Sequence, residues 1–452
     1  MKNQRIQGLK TTPASPSRRR FLETLGAVTA SGSFLIPRFA RAQKKHRLRI
    51  LQWNHFVPEF DRWFGEVFTK QWSERNDTEV IIDHVGMTSL NSRADAEIAA
   101  GAGHDLFMFL RPPPIYEDQA IDHREIYEEC ARRFGVPLEL AIKSTYNPKT
   151  RRYYGFSDSY VPNPVNYRKD LWGEVGVFPD SWAEIRRGGA AIHQRHGIPV
   201  GIGLAPELDS NMALRSLLYS FGASVQTADG RPSLDTPQTL EAVRFMRALY
   251  REAMTKEVFT WDPSSNNRML LAGHGSLALN AISVTRTGES QKIPVADRIL
   301  LAPPARGSIR RLGLIHLMHV YVIWKFARNI EGAKRFLVDY VGEFRNAFLA
   351  SKFYNLPCFP SMVPDLDRLL ANDSAATPHD KYRFLLDAAD WTTYVGYPGY
   401  ANAAIEEIFS ERVISSMFAE AARGRMTAEE AVRGAAARVN TIFDYWREVG
   451  KV

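Results

Sequence analysis

The sequence predicts an α/β protein of two lobes. Its 452 residues are too many for one compact core and suit two units of ordinary domain size. From about His46 to Phe348 short apolar runs alternate with helical patterns, and a helical part follows. That order makes mainly parallel sheets covered by helices. A composition of 45% hydrophobic and 24% charged residues places the chain among soluble globular proteins. It contains no tandem repeat and no Gly/Ser linker.

The elements follow in order. A first strand near Leu48–Gln52 empties into Trp53-Asn54-His55-Phe56. A helix covers roughly Pro58–Arg75, and Glu79–Val85 is the next strand. Thr88 or Ser89 caps a helix with Leu90, Ala94 and Ile98 on one face, stopped by Gly101. Asp105–Leu110 is a buried strand that ends on Arg111-Pro112-Pro113-Pro114, a loop stiffened by its prolines. Ser181-Trp182-Ala183-Glu184 and Thr427-Ala428-Glu429-Glu430 are capping boxes. Pro237 follows Thr236 at the first turn of another helix, and Asn329 caps one with the stripe Ile330, Ala333, Leu337 and Tyr340. The uncharged stretches Ala272–Thr285 and Leu312–Trp324 are shorter than the roughly 20 apolar residues of a membrane helix and read as buried strands.

The formal charge of +8 is concentrated at the start. In residues 1–42 eight basic residues stand against Glu23 alone, a net +7, so the rest of the chain is nearly neutral. Without a basic stripe in the folded part, a nucleic-acid partner is excluded. Thirteen uncharged residues, Thr24–Ile36, follow the basic region, and Ala40-Arg41-Ala42 is a small-x-small cleavage pattern. Ser17-Arg18-Arg19-Arg20-Phe21-Leu22-Glu23 resembles the twin-arginine export signal, with Glu23 where a Lys is usual. Residues 1–42 are therefore expected to be a signal peptide read by the twin-arginine export machinery and cleaved near Ala42, delivering the protein to the periplasm. Cys130 and Cys358 form no C-x-x-C pair and are expected as free buried thiols. His193 and His196 lack a third metal ligand, and His316 and His319, three apart in an apolar strand-like run, face opposite sides and read as core or cleft histidines. There is no Walker-type loop and no G-x-S-x-G elbow, so neither cofactor nor metal is expected.

The order of several motifs resembles the extracellular solute-binding protein family of ABC importers, the maltose-binding-protein-like group. Ile98-Ala99-Ala100-Gly101 followed by Asp105-Leu106 is similar to its "I-A-A-G-x-x-x-D" signature. Tyr153-Tyr154-Gly155-Phe156 and Tyr167-Arg168-Lys169-Asp170-Leu171-Trp172 resemble its "G-x-P…Y-N-K-D-L-F" crossing. Phe178-Pro179-Asp180-Ser181-Trp182-Ala183-Glu184 matches its "P-x-T-W-x-E" turn most specifically. Gly275–Asn280 and Asn329–Val341 are similar to two later family segments. Arg168 replaces the family's Asn, and Ser283 stands where sugar binders often have Trp.

The resemblance implies a two-lobed periplasmic-binding-protein fold of type II. Lobe one is expected at 46–158 plus 297–345 and lobe two at 163–292 plus 350–452, with a hinge within Asp158–Pro164. The ligand would lie in the cleft between the lobes, at the carboxyl ends of strands. Trp53, Asn54 and His55 leave the first strand at that end, as a stacking ring with two polar groups or as a loop packed on its own lobe. Asp105 binds solute or merely ties backbone, and Arg111 just beyond it makes a bidentate contact or none. Glu207 and Asp209, in a loop that the family turns to the cleft, suit sugar hydroxyls because each carboxylate accepts several hydrogen bonds. Trp261, Asn280, Tyr397 and Tyr400 complete the expected set, the tyrosines in an aromatic turn around Pro398 and Gly399.

The implied function is the substrate-binding component of an ABC importer, a monomer that delivers a sugar or oligosaccharide to membrane permease subunits and catalyses nothing. Two alternatives stay open. One keeps the fold and changes the solute to a polyol, polyamine or other small polar molecule. The other is a secreted hydrolase using Glu207 and Asp209, which would have to flank the scissile bond.

Overall fold

The computed structural model describes residues 46–452, and the expected signal peptide lies outside the described residues. The strands that position the site are, in chain order, β1 (His46–Trp53), β2 (Thr78–Val85), β3 (Leu106–Phe109), β4 (Phe156–Val161), β5 (Val165–Arg168), β6 (Val200–Gly201), β7 (Leu277–Leu279), β8 (Ile299–Ala302), β9 (Gly313–Leu314), β10 (Leu317–Ile323), β11 (Leu356–Pro357) and β12 (Thr392–Thr393). One sheet has the order β11-β4-β10-β3-β1-β2 and a second has β8-β5-β7-β6, while β9 pairs with β12 between them. Each sheet is the centre of one lobe.

The expectation of mainly parallel sheets is corrected by the strand pairing. β1 runs parallel to β2 and β3, and β6 to β7. β10 is antiparallel to β3 and β4, and β5 is antiparallel to β7 and β8. The chain path explains the difference. β5 and β10 are the first strands after the chain passes from one sheet to the other, so each enters from the crossing end. The strands built by βα units leave their sheet through that same end, and opposite entry forces opposite direction.

The expected lobe boundaries also shift. The sequence division puts Ile299–Ala302 in lobe one and Leu356–Pro357 in lobe two, and strand pairing places both the other way round. The chain stays in the second sheet one strand longer, because β8 closes the edge beside β5. It then returns through β9 to β10, and β11 again pairs in the first sheet. The first passage, over Pro162, Asn163 and Pro164, falls between β4 and β5, where two prolines restrict the backbone.

Helices cover the sheets: α1 (Leu90–Ala100), α2 (Trp182–His196), α3 (Leu208–Ser220), α4 (Pro237–Ala253), α5 (Ile330–Gly342), α6 (Ala403–Ser410), α7 (Val413–Arg423) and α8 (Ala428–Glu448). Their starts are mostly written in local chemistry. Ser181 and Thr427 form full capping boxes with Glu184 and Glu430 at α2 and α8, and the Asn329 side chain accepts from the Gly332 N–H at α5. α1 differs: a turn over Met87–Ser89 runs into it, Ser89 is already helical, and its hydroxyl makes no cap bond. Gly101 ends α1 in the left-handed region at φ 58°, where glycine carries no Cβ penalty. All of β10 is buried, and so are both cysteines, which are free. Among the described residues no helix is long and apolar enough to cross a membrane.

Between β8 and β9 the chain docks on the end of α3. The Ser220 carbonyl accepts from the N–H groups of Ile309 and Arg310, and a Cβ on Gly307 would lie 2.3 Å from that carbonyl oxygen. Gly307→Ala should therefore lower the free energy of unfolding by about 1–3 kcal/mol through overpacking against backbone. Gly434→Ala, in the exposed interior of α8 with open space around it, should raise it by about 0.5–1 kcal/mol. Urea midpoints of the two variants that shift in the same direction would contradict the docking.

Candidate functional site

A cavity of about 400 Å³ opens at the carboxyl ends of β2 and β3, where the two lobes face each other. The first lobe supplies Met87, Thr88, Leu90 and Asn91 after β2, and Phe109, Leu110 and Arg111 at the end of β3. Facing them are Glu207, Leu208 and Met212 at the start of α3, Pro263, Phe409 and Ser410 at the end of α6, and Arg412 between α6 and α7. Ile315 and His316 between β9 and β10, Leu317 at the start of β10, and Val395 after β12 form the floor. The walls are apolar with a few polar groups, the usual make-up of a small-molecule pocket.

The far wall is set by a break in a helical run. α6 ends at Ser410 and α7 begins at Val413, with Arg412 between them in the left-handed region at φ 60°. Such a conformation costs a non-glycine residue about 1–2 kcal/mol. The turn is fastened by Asn211 Nδ2, which donates to the Phe409 carbonyl at 3.0 Å, and by Arg412 Nη1, which donates to the same oxygen at 2.6 Å. Across the cleft, Arg111 Nη2 donates to Ser410 Oγ at 3.2 Å and the Ile115 N–H to Glu406 Oε2 at 3.2 Å. Burial pushes the Glu406 carboxyl up to about 7.

Arg111 and Glu207 are the two expected residues that line this cavity. Glu207 caps α3: its carboxylate accepts from the N–H groups of Asp209 and Ser210 at 2.6 and 2.5 Å, and from the Ser210 hydroxyl. Burial raises its pKa. Asp209 and Asn280 sit behind it, buried, with Asp209 Oδ2 accepting from Asn280 Nδ2 at 2.7 Å and Asn266 Nδ2 at 3.2 Å. They brace the wall and do not line it.

The other expected contacts lie elsewhere. Trp53 is 1% exposed, packed against His55, Phe56 and His319. His55 is buried: the Val57 N–H donates to Nδ1 at 2.9 Å, which leaves the proton on Nε2, 3.2 Å from Asn355 Oδ1. Burial pushes its pKa down to about 4, so the ring is neutral. Asn54 is exposed, with its N–H tied to the Val85 carbonyl. Asp105 is at the opposite end of β3, where its carboxylate takes the N–H groups of Arg49, Arg328 and Asn329 at 2.8, 2.7 and 3.0 Å. It is a clasp between segments, because a buried carboxylate needs those donors. Trp261 packs part-buried on the core two residues before Pro263. The tyrosine turn is a packing feature: Gln226 Nε2 donates to the carbonyls of Gly396 and Tyr400 at 2.5 and 2.8 Å, and Tyr397 takes Arg310 Nη1 at 2.6 Å. Tyr397 meets Tyr219 edge to face, and Tyr400 is 7% exposed.

Sequence reasoning missed Phe109, Phe409 and Arg412 and left His316 as a core or cleft residue. His316 lines the floor with its Nδ1 unpartnered, and burial pushes its pKa down to about 3. A neutral ring there can donate or accept. Among the described residues no cluster of three or more His, Cys, Asp or Glu could hold a metal ion.

The bracing carboxyl gives a pH test. Burial first, then the charge of Glu207, raises Asp209 well above its usual 3.8. The folded chain thus holds that proton more tightly than the unfolded one, and stability falls as pH climbs above about 4. Asp209→Asn removes that loss, so its stability relative to the unsubstituted protein should increase from pH 4 to pH 8 in urea titrations. An offset independent of pH would contradict the burial.

Comparison with known proteins places this geometry. The sequence pattern of the family described as bacterial extracellular solute-binding protein matches residues 57–352. A protein of Brucella abortus (strain 2308), described as a binding protein, is 26% identical over 106 residues, 23% of this chain and 26% of the relative. The alignment thus spans about a quarter of the curated relatives it matches. Among solved structures, maltose-bound MalE3 of T. maritima superposes with a TM-score of 0.72 at 19% identity, covering 88% of this chain and 99% of that one. The sugar transporter of Arthrobacter chlorophenolicus A6 with bound laminaribiose gives 0.72 at 15%, covering 87% and 99%. A solute-binding protein of Agrobacterium radiobacter K84 in complex with ribitol gives 0.69 at 13%, covering 88% and 99%. With its two α/β lobes, crossings and cleft, the chain belongs to the bacterial extracellular solute-binding protein family.

Proposed function

We propose that this protein is the exported solute-binding component of an ABC importer, that it takes a sugar or a sugar-like polar solute into the cleft between its lobes, and that it hands the solute unchanged to permease subunits. The observation that carries the reading is the cavity of about 400 Å³ walled by both lobes and floored by the chain crossings, within the range of small-molecule sites. Two similar folds hold maltose and laminaribiose and a third holds ribitol, which supports sugars and polyols as the solute class. The division into a lobe of β1–β4 with β10–β11 and a lobe of β5–β8 is part of the same proposal, with closure about the crossings.

Two alternatives lose ground on particular residues. A polyamine would meet Arg111 and Arg412 in the cleft, like charges that disfavour it. A hydrolase would need two carboxylates flanking a bond, whereas Glu207 is held by its own helix start and Asp209 is buried behind it.

The direct check is a thermal-shift screen of the purified protein against monosaccharides, disaccharides, polyols and sugar acids, with the bound solute recovered and analysed. A solute selective for the native state raises the melting temperature, and it should be released chemically intact. Asn91→Trp, which places a large ring in the cleft from the first turn of α1, should weaken that solute by at least about tenfold, or 1.4 kcal/mol. A panel that leaves the melting temperature unchanged, or a solute released in altered form, would contradict the reading.

A further inference from the structure

The ring of Phe409 is surrounded by three guanidinium groups, Arg215 at 5.1 Å and Arg111 and Arg412 each at 5.4 Å from its centroid. They come from separate places: Arg111 from the end of β3 in one lobe, Arg215 from α3 and Arg412 from the α6–α7 turn in the other. Their hydrogen bonds go to neutral groups. Arg111 uses the Ser410 hydroxyl and Arg412 the Phe409 carbonyl. Arg111 Nε is buried without a hydrogen-bond partner, and the buried guanidinium of Arg215 has only the Tyr219 hydroxyl beside it. Among the described residues none of the three arginines is in an ion pair.

Glu207 attracts Arg412 and Glu406 attracts Arg111, but neither carboxylate forms an ion pair with them. Glu207 directs its oxygens at the start of α3, and Glu406 is buried and takes the Ile115 N–H. Burial first, then the charge of Arg111, pushes Arg412 down to about 10. Like charges held around one ring, with one guanidinium buried in the interior without an ion pair, form an arrangement that an anion would stabilise. Guanidinium groups match carboxylate and phosphate oxygens in a bidentate fork.

We propose that the solute carries an oxyanion, a carboxylate or a phosphate monoester on a sugar-sized polar body, clamped over Phe409 by Arg111 from one lobe and Arg412 from the other. The inference rests on the reading of the cleft as the solute site. Arg215 acts from behind the ring as a fixed positive charge, and His316 with Asn91 offers neutral hydrogen bonds to the rest of the solute.

Calorimetry with matched pairs tests it: galacturonate against galactose, glucose 6-phosphate against glucose, and glycerol 3-phosphate against glycerol. At least one acid should bind tenfold or more tightly than its neutral counterpart, with affinity falling as salt rises. The carboxylate and phosphate arms show which oxyanion is preferred. Arg111→Gln and Arg412→Gln should each weaken that acid at least tenfold while thermal unfolding stays cooperative, and Arg412→Lys should restore part of the loss. Neutral members that bind as tightly as the acids overturn this inference and leave the cleft as a solute site. The same follows if the acid is indifferent to both glutamine variants. A folded protein that binds no member of any pair overturns the solute-site reading and this inference with it.

Discussion

Two sheets that share one chain can face each other only where the chain passes between them, and that constraint organises the molecule. The passages lie between β4 and β5, between β8 and β10, and at β12. Each has to leave one sheet at the edge of its core and enter the other at the same level. The strands after a passage therefore run against their neighbours, which is why both sheets are mixed. Elsewhere helices cover the sheets, so the carboxyl ends of β2 and β3 beside the passages are where a solute can reach both lobes at once.

The polar groups around that opening follow from its burial. A half-buried cleft raises the cost of every charge placed there. Glu207 offsets that cost with helix-start N–H groups, Asp209 with two asparagine amides, and His316 by staying neutral. The arginines around Phe409 have no ion pair within the chain, and Arg111 and Arg412 line the cleft with hydrogen bonds to neutral groups alone. Arg412 is held there by a left-handed backbone fastened through the Phe409 carbonyl, so local strain and side-chain placement are two sides of one feature.

Much of the architecture is legible in the sequence because it is written locally. Ser181 with Glu184, Thr427 with Glu430, Asn329 and Gly101 each start or stop a helix by chemistry within a few residues. The family motifs are equally local. What depends on distant pairing is less legible. Ile299–Ala302 pairs with Val165–Arg168 and not with the first sheet, and no short-range pattern distinguishes the two edges. Among site residues, Arg111 and Glu207 stand at a strand end and a helix start, positions that can be read in order along the chain. Trp53 and the tyrosine turn lie outside the cavity, and an aromatic residue beyond a strand reads the same whether it meets a solute or a neighbouring ring. Phe409 and Arg412 are hidden in a run that reads as one continuous helix, since the break at Arg412 uses neither glycine nor proline.

The central claim is that both lobes grip one solute, so that binding and closure are a single event. Small-angle X-ray scattering of the protein with and without a saturating solute, occupancy being verified by calorimetry on the same sample, tests it most directly. The account predicts a smaller radius of gyration at saturation. A radius unchanged at full occupancy would contradict it.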